Sequence, residues 1–241
     1  MARKPSKATK ISKGYGRGNG KDYSAWEHAN EHPNGAGTRV QAVDWKTGRT
    51  VDLLSQGEYR VWLWLRFNDD VVDINEQYPL DKNETDYIAS LLGVGYSKNP
   101  NYIMSTDFLV TYSDGHKEAI SVKPNKKALE NKRKFNNTCI EKVYWENHGI
   151  KFRMAYSDNI DRRITDNIRL VTRYYDPDSV IDNITAMKHL IATKRFAIEL
   201  NQIIDYKALA ESIINDEIMN KIEKEKQMNK RKKLVDDIFG K

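Results

Sequence analysis

The sequence is poor in cysteine and in long apolar runs, and both shortages exclude classes of protein. Its one cysteine, Cys139, has no partner for an intramolecular disulfide, which is typical of a reducing compartment. No stretch approaches the roughly 20 apolar residues that a membrane-spanning helix needs. The basic N-terminus is not followed by an apolar segment, so it does not resemble a secretory signal. We therefore expect a cytoplasmic protein without a membrane partner.

Two further absences narrow the chemistry. The five histidines are scattered along the chain, and with a single cysteine they give no zinc-type spacing. The chain also lacks the Gly-x-Ser-x-Gly element of an α/β-hydrolase serine. Cys139 falls on the apolar stripe of a predicted helix, so we interpret it as a core residue rather than a nucleophile. Zinc and serine or cysteine nucleophile chemistry are therefore poorly supported.

Positive charge is concentrated at the N-terminus. The net charge of the whole chain is +6, whereas residues 1–21 contain seven lysines and arginines and no acid. This segment is rich in Lys, Gly and Ser without apolar periodicity, so we predict a flexible basic arm. Basic patches favour a polyanionic partner, although a basic arm is often only solvated. The residues predicted to contact the polyanion are Arg17, Lys21, Lys126 and Lys127.

The stretch from Met104 to Lys123 predicts a β-hairpin. Its first half is rich in Val, Thr, Tyr and Phe, and a Ser-Asp-Gly sequence in the middle supplies turn residues. A three-residue loop over residues 114–116 would place Asp107 opposite Lys123, on the same face of the sheet. A two-residue loop would instead place Asp107 opposite Val122 and turn Lys123 to the other face.

An acid and a lysine on one sheet face, reached by a further carboxylate, favour metal-assisted hydrolysis of a phosphodiester. The acid would hold a hard divalent cation, and the lysine would act on the attacking water or stabilise the phosphorus centre. The alternative is a cross-strand salt bridge, which contributes little stability. The further carboxylate is Glu58, which ends a Ser55-Gln56-Gly57-Glu58 capping box. Glu58 therefore either only caps a helix or also reaches a metal on the neighbouring sheet.

The order of predicted elements indicates an α/β core with a mixed sheet. A helix over residues 56–67 precedes a strand, the central hairpin, a long helix over residues 126–147, a strand and another helix. The expected apolar stripe of the long helix consists of Leu129, Phe135, Cys139 and Val143.

The strand pattern disappears in the last quarter of the chain. After Asp176 the sequence shows only helical patterns that are rich in Ile, Leu and Ala. We therefore predict three parts: the arm over residues 1–21, a catalytic domain over residues 22–175 and a smaller, all-helical domain over residues 176–241.

Several motifs occur in an order that resembles a known family. The stretches are Gly16-Arg17-Gly18 through Asp22-Tyr23 and Trp26, Lys46-Thr47-Gly48-Arg49 with Leu53-Leu54-Ser55 and Glu58, Asp73-Ile74 with Glu76-Gln77-Tyr78-Pro79-Leu80, Met104-Ser105-Thr106-Asp107-Phe108-Leu109-Val110, and Val122-Lys123-Pro124. Together they resemble TnsA, the endonuclease subunit of heteromeric cut-and-paste transposases. Each piece is short, but the ordered set, over roughly residues 14–175, is specific.

This resemblance implies a restriction-endonuclease-like core with a mixed sheet and helices on both faces. Glu58, Asp107 and Lys123 would form the acid–acid–lysine catalytic constellation of the nuclease. Magnesium would be held by the two acids and by the main-chain carbonyl of Val122, and manganese would substitute for it. The family often has Gln or an acid where this chain has Ser121, so the serine or a water would complete the metal shell.

The resemblance also implies partners. The family cuts the non-transferred 5′ strand of double-stranded DNA at transposon ends, and a companion transposase of the retroviral-integrase type cuts and joins the other strand. An AAA+ ATPase regulates both proteins. The helical C-terminal domain resembles the partner-binding region of the family in position and class. Such a protein would be prokaryotic or phage-encoded and would act inside the cell.

Two alternative functions stay open on the sequence alone. A stand-alone nuclease of the restriction or junction-resolving type would cleave efficiently without a companion. A DNA-binding scaffold with an inert nuclease-like core would bind neither magnesium nor manganese near Asp107.

Overall fold

A four-stranded mixed sheet forms the centre of the first of two units in the computed structural model, which describes residues 5–31, 38–97 and 99–239. The first unit ends at Ile160 and the second begins at Asp161. The first unit contains the helices α1 (Lys7–Ser12), α2 (Gln56–Arg66), α3 (Lys82–Leu91) and α4 (Lys132–Asn147), and the strands β1 (Val40–Val43), β2 (Thr50–Leu53), β3 (Val71–Pro79), β4 (Ser105–Tyr112), β5 (Lys117–Lys123) and β6 (Lys151–Tyr156). The second unit contains the helices α5 (Arg162–Thr172), α6 (Asn183–Ala192), α7 (Tyr206–Ile213) and α8 (Asp216–Phe239).

The sheet has the strand order β3-β4-β5-β6. β3, β4 and β5 are antiparallel neighbours, whereas β5 and β6 run parallel and are connected through α4. A parallel pair needs a crossover of this kind because the chain must return to the end of the sheet at which the first of the two strands began. β1 and β2 form a separate two-stranded hairpin. The predicted α/β class with a mixed sheet is confirmed.

The central hairpin forms as predicted, but its register differs by two residues. Thr111 pairs with Lys117, and the Tyr112 N–H donates to the His116 carbonyl at 3.0 Å, so the three-residue loop covers residues 113–115. The predicted loop over residues 114–116 is wrong because the last loop position requires a positive φ, and Gly115 takes it with φ +86°. In this register Asp107 falls opposite Ser121 instead of Lys123. A shift of two residues leaves Asp107 and Lys123 on the same face of the sheet, since side chains alternate between the faces with a period of two.

The face of α4 that packs on the sheet is not the one that the sequence suggested. Ile140, Tyr144 and Trp145 are buried against Leu109 and Ala119 of the sheet, while Phe135 is 50% exposed. The predicted stripe assumed one continuous helix. The chain instead makes a 3₁₀ turn over Lys126–Glu130, and Asn131 then caps α4 through its side chain. Polar Asn136, Thr138 and Glu141 share the buried face with the apolar residues, so the apolar pattern alone did not mark that face.

Much of the N-terminal segment is folded rather than flexible. Ser6 caps α1, and Lys10 is 2% exposed. Its ammonium lies 2.7 Å from a Glu31 carboxylate oxygen and 3.4 Å from a Glu27 oxygen, and it donates to the Trp26 carbonyl at 2.5 Å. A buried ammonium is stable only when it is paired in this way. The expectation of a flexible arm is therefore corrected for the described residues of this segment.

The glycine-rich stretch that follows α1 is fixed against β3. A Cβ on Gly16, which has φ +72°, would lie 2.3 Å from the Pro79 Cγ, so only glycine fits there. The Gly20 N–H donates to an Asp73 carboxylate oxygen at 2.9 Å. The segment before β1 is therefore held to the sheet at two points of the same strand.

The second unit is built from helices. α6 begins with a capping box from Asp182 and Thr185, and α5 and α7 both pack against it. Because α5 belongs with α6, the unit begins at Asp161, earlier than the predicted boundary at residues 175/176. In the described part of the chain, no helix has the combination of length and apolar character that crossing a bilayer requires.

We predict that Lys10→Ala lowers the free energy of unfolding by about 3 kcal/mol, because it leaves buried carboxylates unpaired. Lys13→Ala is the control, since Lys13 follows α1 and is exposed, and it should change stability by less than about 0.5 kcal/mol. Urea unfolding of both variants measures the difference. Equal stability of the two variants would show that the segment carrying Lys10 is not packed in solution.

Candidate active site

Asp107 lies at the centre of a row of polar side chains that crosses three strands. On β3 its neighbour is Gln77, which falls between the pairs Glu76–Phe108 and Tyr78–Thr106, and on β5 it is Ser121. The Val122 N–H donates to Oδ2 of Asp107 at 2.5 Å, and the Ser121 hydroxyl lies 3.5 Å from the same oxygen. One carboxylate oxygen is therefore fixed by the adjacent strand.

Glu58 reaches this row from the first turn of α2. The Ser55 hydroxyl accepts from the Glu58 N–H at 3.1 Å and lies 3.0 Å from Oε1 of Glu58, so Ser55 caps the helix as predicted. The Glu58 carboxylate accepts from the N–H of Leu54 rather than from that of Ser55, so the predicted capping box is only half formed. Oε2 accepts from the Leu54 N–H at 2.8 Å and from the Gln77 amide at 3.1 Å. Glu58 thus caps the helix and also faces the sheet, so the two interpretations are compatible.

Gln77 joins the two acids and was missed as a site residue by the sequence analysis. Its amide nitrogen lies 3.1 Å from Glu58 Oε2 and 3.5 Å from Asp107 Oδ1, while its amide oxygen accepts from the Ser105 hydroxyl at 3.0 Å. Its backbone is left-handed, with φ +48°, inside a strand. Such a conformation costs a non-glycine residue roughly 1–2 kcal/mol and is often found at functional sites. The only sequence signal for Gln77 was its place in a motif of the family resemblance.

Lys123 lies on the same side of the sheet as Asp107. Its ammonium donates to the Ser121 hydroxyl at 2.6 Å and lies 3.3 Å from the Val122 carbonyl oxygen. A cavity of about 150 Å³ is lined by both Asp107 and Lys123, together with Ser121, Lys134 and Glu141. The structure therefore brings together Glu58, Asp107 and Lys123, as the sequence predicted, through the side chains of Gln77 and Ser121.

The electrostatics of the site favour a bound cation. Burial and then the charge of Asp107 raise the pKa of Glu58 to about 8. Burial and the charge of Asp107 also raise the pKa of Glu141 to about 7, against the opposing effect of Lys123. Carboxylates that raise one another's pKa are stabilised in their ionised form when a positive charge lies between them.

The available donors fit magnesium better than zinc. They are the carboxylates of Glu58 and Asp107, the Ser121 hydroxyl and the Val122 carbonyl, and magnesium prefers such oxygen ligands. In the described ranges, no three His, Cys, Asp or Glu side chains are arranged to hold a metal by themselves. Main-chain and hydroxyl oxygens or waters would therefore have to complete a metal shell.

The side chains predicted to contact a polyanion do not form one cluster with the acids. Lys126 and Lys127 are exposed in the 3₁₀ turn that follows β5, shortly after Lys123. Arg17 and Lys21 are exposed on the glycine-rich stretch before β1. Lys134, which was not among the predicted polyanion contacts, is exposed and lines the cavity.

Comparison with known proteins shows that this chain is similar to TnsA proteins. Residues 68–157 match the family described as TnsA-like endonuclease N terminal, and this span includes Asp107 and Lys123 but begins after Glu58. The chain is also 36% identical over 165 residues to the Transposon Tn7 transposition protein TnsA of Escherichia coli. That alignment covers 67% of this chain and 60% of the Escherichia coli protein, so the chain spans less than two thirds of its relative.

We predict that stability falls as the pH rises from about 4.5 towards 8 when metal is removed with a chelator. Folded Glu58 keeps a proton that the unfolded chain, with a pKa near 4.5, has already released, so folding is favoured below this window and weakened above it. Glu58→Gln should flatten this slope, and the exposed control Glu130→Gln should not. Thermal melts from pH 4.5 to 9 measure how the stability of each protein changes with pH. A pH dependence in Glu58→Gln equal to that of the wild type would contradict the prediction.

Proposed function

This chain carries a TnsA-like endonuclease domain with a restriction-endonuclease-like fold, and we propose that it is the DNA-cleaving subunit of a heteromeric transposase. The proposed reaction is magnesium-dependent hydrolysis of the phosphodiester of the non-transferred 5′ strand at transposon ends. One observation carries the proposal. Glu58, Asp107 and Lys123, which are far apart in the sequence, are linked in one polar site by the side chains of Gln77 and Ser121.

The residues of the site have distinct roles in this proposal. Asp107 and Glu58 hold magnesium, with the Val122 carbonyl and the Ser121 hydroxyl as further ligands, and manganese substitutes because it accepts the same oxygen donors. When bound, the cation supplies Lewis-acid activation of the phosphoryl group and lowers the pKa of a bound water. The Val122 N–H keeps one oxygen of Asp107 in place, so its other oxygen is directed away from β5.

Lys123 acts on the reacting groups in this proposal. Its ammonium is held in the site by the Ser121 hydroxyl, and none of the carboxylates in the described ranges lies at salt-bridge distance from it. It is therefore available to orient the attacking water or to stabilise negative charge on the phosphorus centre. Lys126 and Lys127, together with Arg17 and Lys21, would contact phosphates of the duplex and position its backbone.

The partners of this subunit also belong to the proposal. We propose a companion transposase of the retroviral-integrase type that cuts and joins the other strand, and an AAA+ ATPase that regulates both. The second unit is the proposed partner-binding region. Its helix α8 exposes Met228, Leu234 and Val235, and exposed apolar side chains of this kind are common at protein interfaces.

We expect Asp107→Ala, Glu58→Gln and Lys123→Ala each to reduce strand nicking at least about 100-fold, because each removes a charge that acts in the transition state. The substrate is supercoiled DNA carrying a transposon end, with magnesium and the companion transposase present. Asp114→Ala is the matched control, since Asp114 is exposed in the hairpin turn and should leave nicking unchanged.

The same assay separates the competing functions. Wild-type nicking by all three variants would end the proposal. Efficient cleavage by the wild-type chain without a companion would favour a stand-alone nuclease. If the wild-type chain bound DNA but showed no nicking with magnesium or manganese, the inert scaffold would be favoured.

We predict that Lys126→Ala combined with Lys127→Ala reduces the slope of log K for DNA against log salt by about 2, because two phosphate contacts are lost. Lys117→Ala is the control, since Lys117 is exposed at the opposite end of β5 from Lys123. Fluorescence anisotropy over a range of salt concentrations measures the slope. An unchanged slope in the double variant would remove these lysines from the proposed DNA contact.

A further inference from the structure

Gln77 combines a backbone conformation that suits glycine with a long, buried side chain. Its φ is +48° and it is 3% exposed. In the left-handed region a Cβ lies close to the following carbonyl oxygen, which costs most residues free energy and costs glycine none. Asparagine also tolerates this conformation better than longer side chains do. If only the backbone mattered, glycine or asparagine would suit this position better, so the glutamine side chain needs a separate explanation.

The backbone contact of Gln77 does not supply that explanation. Its carbonyl accepts from the Trp26 N–H at 3.2 Å, so this part of β3 holds the segment that precedes β1. Any residue that adopts the same conformation, glycine included, would present the same carbonyl to Trp26. The contact accounts for the left-handed backbone and leaves the amide side chain unexplained.

The side chain of Gln77 contacts both acids of the site. Its amide nitrogen lies 3.1 Å from Oε2 of Glu58 and 3.5 Å from Oδ1 of Asp107. An amide nitrogen carries two hydrogens, so it can donate one to each carboxylate. The amide oxygen accepts from the Ser105 hydroxyl at 3.0 Å, and this bond turns the donor end of the amide towards the acids. One side chain therefore orients two groups that repel each other.

We propose that Gln77 is a positioning residue of the active site. Its amide holds the Glu58 and Asp107 carboxylates in one orientation before a cation binds, and the Ser105 hydroxyl holds the amide. Without the amide, repulsion would turn the two ionised acids apart, and a cation would have to order them as it binds. Groups that orient metal ligands in this way typically change metal affinity about 10- to 100-fold. This inference rests on the proposed nuclease function and adds a residue that acts through the acids rather than on the phosphate.

The test measures manganese binding by the full chain without DNA, by the loss of the free-ion signal in electron paramagnetic resonance. Gln77→Asn and Gln77→Gly both accept the left-handed backbone, but neither side chain is long enough to bridge the two acids. We expect each to weaken manganese binding about tenfold. The melting temperature of the metal-free protein should stay within about 5 °C of the wild type, because relief of backbone strain offsets lost packing. Gln202→Asn, at an exposed position of the second unit, is the control and should bind manganese like the wild type.

Variants of Ser105 test whether the orientation of the amide matters. Ser105→Ala removes the proton that fixes the amide oxygen, and we expect it to weaken manganese binding about threefold. Ser105→Thr keeps the hydroxyl and suits a strand, so it should bind manganese like the wild type. In the Gln77→Gly background, Ser105→Ala should have no further effect, because the hydroxyl acts through the amide. A residue that only stabilises the strand would not show this dependence.

The outcomes separate this inference from the proposed function. Wild-type manganese affinity in both Gln77→Asn and Gln77→Gly would overturn the inference. An equal effect of Ser105→Ala with and without the Gln77 side chain would also overturn it. Failure of Asp107→Asn to weaken manganese binding would count against the proposed function itself.

Discussion

The site depends on the repulsion between two carboxylates that the fold forces to face each other. Glu58 comes from a helix start and Asp107 from the middle of a strand, and the Gln77 amide lies between them. Burial and mutual repulsion oppose the ionised pair, as the raised pKa of Glu58 shows. Neutral donors around the pair, from Leu54, Ser55 and Val122, offset part of this cost. The remaining imbalance is the physical reason that a divalent cation suits this place.

The left-handed backbone of Gln77 persists because its neighbours are fixed on both sides. Arg49 binds both carboxylate oxygens of Glu76 at 2.7 Å, and the Tyr78 ring packs against Trp145 at 5.6 Å between centroids. The Gln77 carbonyl also accepts from the Trp26 N–H at 3.2 Å. Strain at one residue is tolerated where the surrounding contacts determine its geometry. The bidentate ion pair and the aromatic contact on β3 therefore support the site although they lie beside it.

The sequence predicted that Asp107, Lys123 and Glu58 would lie near one another, but it did not predict their surroundings. Asp107 and Lys123 were placed on one face because strand alternation has a period of two, so a register error of two residues did no harm. Glu141 was missed because the predicted apolar stripe followed Phe135 and Cys139, whereas the buried face of α4 also carries polar side chains. The burial of Lys10 could not be inferred either, since its partners Glu27 and Glu31 meet it only in the folded chain. Local patterns predict elements, whereas long-range pairing decides which charged side chains are enclosed.

The attachment of the glycine-rich stretch to β3 bears on where a duplex would be cut. Gly16 rests on Pro79 and Gly20 is tied to Asp73, so Arg17 and Lys21 stand on a support that shares a strand with Gln77. On a flexible segment, these cations would contact the duplex at a variable distance from the reacting phosphate. In the proposed function, cations on this support would hold the DNA backbone at a constant number of nucleotides from the acids.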